Sequence, residues 1–187
     1  RRDDEVVRAA EGALDQLSKS GCLGHLNAGA AAEIREQLAA QPHYLLCDPS
    51  ARDPETQAHQ CAFTRPGSNE IILTRPAACG NLSAVIFHEL LHKSSTLSRY
   101  PPSVHNSGRC RVLDPVYQCQ TLCYPLKLRP AWQNNLGCAR CLSSELPDAT
   151  LERICGKLPS PPMDQTFSQC LQGGKAYDSK LKRLKVK

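Results

Sequence analysis

The chain has 187 residues with 23 Lys or Arg and 18 Asp or Glu, and its formal net charge is +5. Residues 175–187 hold six basic residues and one acidic residue, so they account for the whole net charge and residues 1–174 are formally neutral. A neutral body argues against a broad nucleic-acid surface, and no run approaches the roughly 18 apolar residues of a membrane span.

Two amphipathic helices are predicted at the start of the chain. Apolar residues at helical spacing mark the first over residues 6–17 and the second over 31–38, which stops before Pro42. The residues that carry these patterns are Val6, Val7, Ala10, Leu14, Leu17, Ala31, Ile34 and Leu38. Residues 43–47 then have the composition of a short strand.

A β-hairpin is predicted next. Its strands, 61–64 and 70–74, flank Pro66-Gly67-Ser68-Asn69, whose residue types favour a loop of four or five residues. The apolar segment 71–74 is either an edge strand to which another peptide can add or an ordinary core strand.

The most specific feature of the chain is His88-Glu89-x-x-His92, set in an otherwise apolar run over 84–91. Shuffling a chain with six histidines and nine glutamates gives roughly 0.01 matches to this pattern. On a helix, positions i and i+4 lie about 5–6 Å apart at Cβ, so both imidazoles can bind one zinc ion. Glu89 then lies about 100° around the helix, beside the open face of the metal.

The apolar composition of this helix predicts that it is buried, which favours a functional role for its polar residues over an accidental spacing. Two histidines and a glutamate inside an apolar helix would cost several kcal/mol if nothing engaged them. Asn81 or Ser83 is expected to cap the helix at its start. Beyond it, residues 94–111 predict an irregular loop, and helical patterns resume over 116–123, 148–155 and 164–171.

A catalytic zinc needs a third protein ligand besides the two motif histidines. The extended pattern with a histidine six residues after His92 is excluded, because Ser98 stands at that position. Asp114 is favoured because Tyr117 follows about one helical turn later, where its phenol can lean over the open site. The other candidates are His105, Glu145 and Glu152.

The histidine and glutamate motif over 88–92, followed by Asp114-x-x-Tyr117, resembles the aspzincins, the group of deuterolysin and peptidyl-Lys metalloendopeptidase. Cys79 just ahead of the motif and the apolar segment 71–73 are also similar to that family. The resemblance implies a zincin-like fold, Asp114 as the third zinc ligand and Tyr117 as a residue that assists catalysis.

These residues predict a hydrolytic mechanism. Zinc held by His88, His92 and Asp114 would lower the pKa of its water toward about 7. Glu89 would take the proton of that water during attack on a peptide carbonyl and pass it to the leaving amine. Tyr117 would donate a hydrogen bond to the tetrahedral oxyanion.

Eleven cysteines predict disulfides and an oxidising location, either secreted or periplasmic. Four of them have a spacing that structural zinc sites also use: Cys119, Cys123, Cys138 and Cys141. The seven other cysteines favour disulfides over a second zinc site here.

We therefore predict an α+β, zincin-like and helix-rich domain over residues 1–174, followed by a basic tail over 175–187. A small mixed or antiparallel sheet is expected beside the motif helix, and disulfides are expected to stabilise the fold. The predicted function is a secreted, monomeric zinc endopeptidase that acts on protein or peptide substrates and binds no nucleic acid. Two alternatives are a disulfide-rich binding or toxin module with a structural or non-catalytic zinc, and a zinc peptidase of cell-wall peptides.

Overall fold

The structure is a computed structural model that describes residues 2–18, 22–41, 43–54, 60–64, 70–98, 105–106, 114–123 and 141. The chain divides into two compact units, Arg1–Ser98 and Arg99–Lys187. The helices predicted over 148–155 and 164–171 and the basic tail lie outside the described residues, and the single domain over 1–174 stays a prediction.

Helix α1 (Arg2–Leu17) buries one narrow apolar stripe against the rest of the first unit. The buried members of this stripe are Ala10, Ala13 and Leu17. Val7 and Leu14, which belonged to the predicted pattern, are 54% and 36% exposed and lie seven residues apart on another side of the helix. The helix is therefore confirmed, but small alanines form much of its core face.

Helices α2 (Cys22–Leu26) and α3 (Ala28–Ala40) follow. Asn27 begins α3 as its N-cap, and its side-chain oxygen accepts a hydrogen bond from a first-turn backbone N–H at 3.1 Å. Ala31 and Ile34 are fully buried, as the apolar spacing predicts. The second predicted helix is confirmed.

The described strands β1 (Leu45–Cys47), β2 (Ala62–Thr64) and β3 (Ile71–Leu73) form a small mixed sheet in the order β1-β3-β2. β1 is parallel to β3, and β2 is antiparallel to β3, which confirms the predicted hairpin. Because β3 is paired on both sides and all its residues are buried, the edge-strand interpretation of 71–74 is wrong. A continuous apolar run is typical of a strand covered on both faces.

Helix α4 (Leu82–Leu91) carries the motif and is buried along almost its whole length. Asn81 is the cap, since its side-chain oxygen accepts a hydrogen bond from the backbone N–H of Ala84 at 3.1 Å. Gly80 precedes the cap with a φ of 66°, a left-handed conformation that glycine adopts without steric cost. The helix packs against α1, α3, β2 and β3, so it lies at the centre of the first unit.

A disulfide ties the sheet to the motif helix. Cys61, just ahead of β2, is bonded to Cys79, just ahead of the α4 cap, and their Cα atoms are 5.4 Å apart. Cys22 is also disulfide-bonded, whereas Cys47 on β1 is free and exposed. These pairings are compatible with an oxidising compartment.

The described part of the second unit contains helix α5 (Pro115–Cys123), which confirms the helix predicted over 116–123. Cys119 of α5 is bonded to Cys141, with Cα atoms 5.1 Å apart, and Cys123 is disulfide-bonded as well. These three cysteines therefore belong to disulfides and not to a four-cysteine zinc site, while Cys138 lies outside the described residues. In the part of the chain that the structure describes, no helix is long and apolar enough to cross a membrane.

Replacing both Cys61 and Cys79 by Ser is expected to lower the free energy of unfolding by about 3 kcal/mol, because the bond closes a loop of 18 residues in the unfolded chain. Urea denaturation followed by circular dichroism measures this change. Cys47→Ser, which removes a free and exposed thiol, is the control and should stay within about 0.5 kcal/mol of the parent. A double variant as stable as the parent would show that the disulfide does not restrain the fold.

Candidate metal site

His88 and His92 face each other at the C-terminal end of α4. Their Nε2 atoms are 3.3 Å apart, and their rings are inclined at 72°. Two nitrogens bound at 2.0–2.1 Å to one tetrahedral zinc lie about 3.3–3.4 Å apart. The helix thus holds both nitrogens at the separation of two ligands of one tetrahedral ion.

Ser98 orients His92. Its Oγ lies 3.3 Å from Nδ1 of His92 and 3.4 Å from the backbone oxygen of Leu91. When the hydroxyl donates to the Leu91 oxygen, Nδ1–H of His92 donates to Oγ, and Nε2 keeps its lone pair for a metal. Ser98 stands where the extended motif would have a third histidine. Here it orients the ring of His92 instead.

Glu89 lies one residue after His88 and is only 7% exposed. Its Oε2 accepts a hydrogen bond from Oγ1 of Thr64 at 2.8 Å, and the same hydroxyl lies 3.3 Å from the backbone oxygen of Glu89. Thr64 is the last residue of β2, so the sheet holds the carboxylate of the motif. The sequence pattern did not point to Thr64, because it is 25 residues away along the chain.

Lys93 directly follows the motif and is only 4% exposed. Burial lowers its pKa to about 8, and the negative charge of Glu89 opposes that change. This burial could not be expected from the sequence, since a lysine after a helix is ordinarily solvated.

Helix α3 anchors the segment that follows the motif. Glu33 accepts hydrogen bonds from the hydroxyl of Ser94 and the backbone N–H of Ser95, both at 2.8 Å. One turn later, Gln37 donates to the backbone oxygen of Lys93 at 2.5 Å. Burial acts to raise the pKa of Glu33, but the hydrogen bonds from Ser95 and Ser94 outweigh it, and the pKa is lowered.

The second unit brings together three of the residues proposed from the sequence: His105, Asp114 and Tyr117. Nδ1 of His105 lies 3.1 Å from Oδ2 of Asp114, and the rings of His105 and Tyr117 stack with centroids 4.7 Å apart. Oδ1 of Asp114 accepts a hydrogen bond from the backbone N–H of Val116 at 2.8 Å, at the start of α5. Asp114 is only 2% exposed, so both carboxylate oxygens have protein partners in a buried setting.

This arrangement determines what each side chain can offer to a metal. A histidine whose Nδ1 contacts a carboxylate is fixed in orientation and presents Nε2 as a ligand. In the first unit, His88 and His92 can each offer one ring nitrogen to a metal ion, and in the second unit His105 can offer one as well. The two glutamates considered as third ligands, Glu145 and Glu152, lie outside the described residues.

Comparisons with protein-family models, curated proteins and solved structures find no match to this chain.

Glu33→Gln is expected to destabilise the protein at pH 7, because one of the two donors, Ser94 or Ser95, would face the amide NH2 group of the glutamine. The pKa of Glu33 is lowered on folding from 4.5, so its carboxylate stabilises the fold above that pH and loses this contribution as the pH falls through the folded value. The difference in unfolding free energy between parent and variant should therefore shrink as the pH falls below 4.5. Denaturant titrations at pH 7 and pH 3 measure it.

The matched control for this experiment is Glu36→Gln, on the exposed side of the same helix. It should change the unfolding free energy by less than about 0.5 kcal/mol. A Glu33→Gln variant that differs from the parent equally at both pH values would contradict the role of the ionised carboxylate.

Proposed function

We propose that this protein is a zinc-dependent hydrolase of peptide bonds in which Glu89 is the general base. The observation that supports the proposal is the pair of Nε2 atoms of His88 and His92, 3.3 Å apart, together with the burial of Glu89, the residue that follows His88. A structural zinc site is closed by four protein ligands and has no use for an adjacent carboxylate. A hydrolytic site needs both an open metal position and a base next to it.

The donor set fits zinc. Imidazole nitrogens are typical zinc ligands, and the separation of the motif nitrogens fits a tetrahedral ion. His88 and His92 would supply two ligands, and we propose His105 or Asp114 as the third. We favour His105, because its Nδ1 contacts a carboxylate oxygen of Asp114. In other proteins, a carboxylate in this position orients a histidine that binds a metal.

When bound, zinc supplies a Lewis acid that acidifies a water and polarises the substrate carbonyl. Glu89 accepts the proton of the attacking water at its carboxylate and delivers it to the nitrogen of the leaving amine. Tyr117 lies against His105 and is the proposed donor to the developing oxyanion. The family proposed for this activity is that of the aspzincin-like zincins, with His105 in place of the aspartate ligand.

Glu89→Gln tests the proposed base. The variant should bind zinc as the parent does but cleave an unfolded protein substrate about 10²–10⁴-fold more slowly, because the amide cannot accept the proton of the water. Zinc content by mass spectrometry and cleavage of a quenched fluorescent substrate measure the two properties. Glu11→Gln, an exposed change on α1, should leave both unchanged. A Glu89→Gln variant as active as the parent would remove Glu89 from the chemistry.

The third ligand is tested by comparing His105→Ala with Asp114→Asn. If His105 binds zinc, its removal should lower zinc affinity by more than about 100-fold, whereas Asp114→Asn should lower it by about 10–100-fold. Competition with a chromophoric chelator gives both affinities, and Tyr117→Phe should keep the parent affinity. A larger loss for Asp114→Asn than for His105→Ala would make Asp114 the ligand, as the aspzincin resemblance implies.

A further inference from the structure

We infer that Thr64 is a positioning residue for Glu89, through which strand β2 fixes the orientation of the catalytic carboxylate. The inference rests on the proposed function, because it assigns Thr64 a role in the work of the proposed base. It adds a residue that the motif does not contain and that lies in a different secondary-structure element.

The hydrogen-bond geometry identifies the acceptor. The hydroxyl of Thr64 has a single proton, and its Oγ1 lies 2.8 Å from Oε2 of Glu89 but 3.3 Å from the backbone oxygen of the same residue. A charged carboxylate oxygen is the stronger acceptor and accepts the shorter bond. Thr64 therefore donates to Oε2 and restrains rotation of the carboxylate group.

The position of the donor is itself fixed. Thr64 ends β2, where it is paired opposite Ile71 of the buried strand β3. Its β-branched side chain has a restricted χ1, so the hydroxyl keeps its direction when the backbone is held in a strand. At the other end of β2, the disulfide of Cys61 with Cys79 joins the strand to the start of α4. β2 is thus attached to the motif helix at both of its ends.

Restraint of Glu89 matters for a general base, because proton transfer depends on alignment with the attacking water. A misplacement of about 1 Å can reduce a rate by about 100-fold. Thr64 acts on the base and not on the substrate, so its removal should lower kcat while KM changes little.

The experiment compares three variants of the full chain loaded with zinc. Thr64→Val replaces the hydroxyl by a methyl group of similar volume, and Thr64→Ser keeps the hydroxyl. Thr74→Val is the matched control, because Thr74 is a buried threonine whose hydroxyl donates to the backbone oxygen of Gln60 instead of to the motif helix. Circular dichroism and zinc content establish that each variant is folded and loaded.

Thr64→Val should lower kcat by about 10–100-fold with KM within about threefold of the parent. Thr64→Ser should recover most of kcat, and Thr74→Val should keep the parent value. The inference is overturned if Thr64→Val keeps the parent kcat, if Thr64→Ser loses as much as Thr64→Val, or if Thr74→Val loses as much.

Crystal structures of the parent and of Thr64→Val supply a second measurement that does not depend on activity. The carboxylate of Glu89 should have one orientation in the parent. In the variant it should be rotated or should occupy two alternate conformations. An unchanged orientation in Thr64→Val overturns the inference. A parent that binds zinc and cleaves no peptide overturns the proposed function, and the role of Thr64 in catalysis with it, while the two crystal structures still decide whether Thr64 orients Glu89.

Discussion

The first unit depends on one constraint: a central helix that is almost completely buried must still accommodate polar side chains. Burying a polar group without a partner costs several kcal/mol, so each such group in α4 needs a contact from another element. Thr64 of β2 supplies one to Glu89, and just after the helix Ser98 supplies one to the partly buried His92. The strand and the turn after α4 are thus placed partly by the polar groups of the helix, in addition to its apolar faces.

Features set by neighbouring residues could be predicted from the sequence. The cap at Asn81 depends on a side chain reaching a backbone N–H three residues on. The β2–β3 hairpin depends on two apolar segments separated by residues that favour turns. The histidine pair depends only on the pitch of the helix.

Features set by distant residues could not be predicted in the same way. Glu33 and Ser94 are 61 residues apart, and Thr64 and Glu89 are 25 apart, so no local periodicity links them. The central position of β3 depends on its pairing with β1, a parallel contact that the chain reaches only after a long connection. For Asp114 the sequence did not reveal the contact with His105, because a carboxylate can serve equally well as a metal ligand or as a partner of a histidine.

The anchoring of residues 93–95 by α3 has a consequence for the boundaries of the site. The two anchors, Glu33 and Gln37, precede the motif by more than fifty residues in the sequence. A shortened chain that begins at the hairpin would keep every residue of the motif yet lose the groups that hold its C-terminal end. Moving the motif helix into another protein would therefore require the side of α3 that carries Glu33 and Gln37 as well.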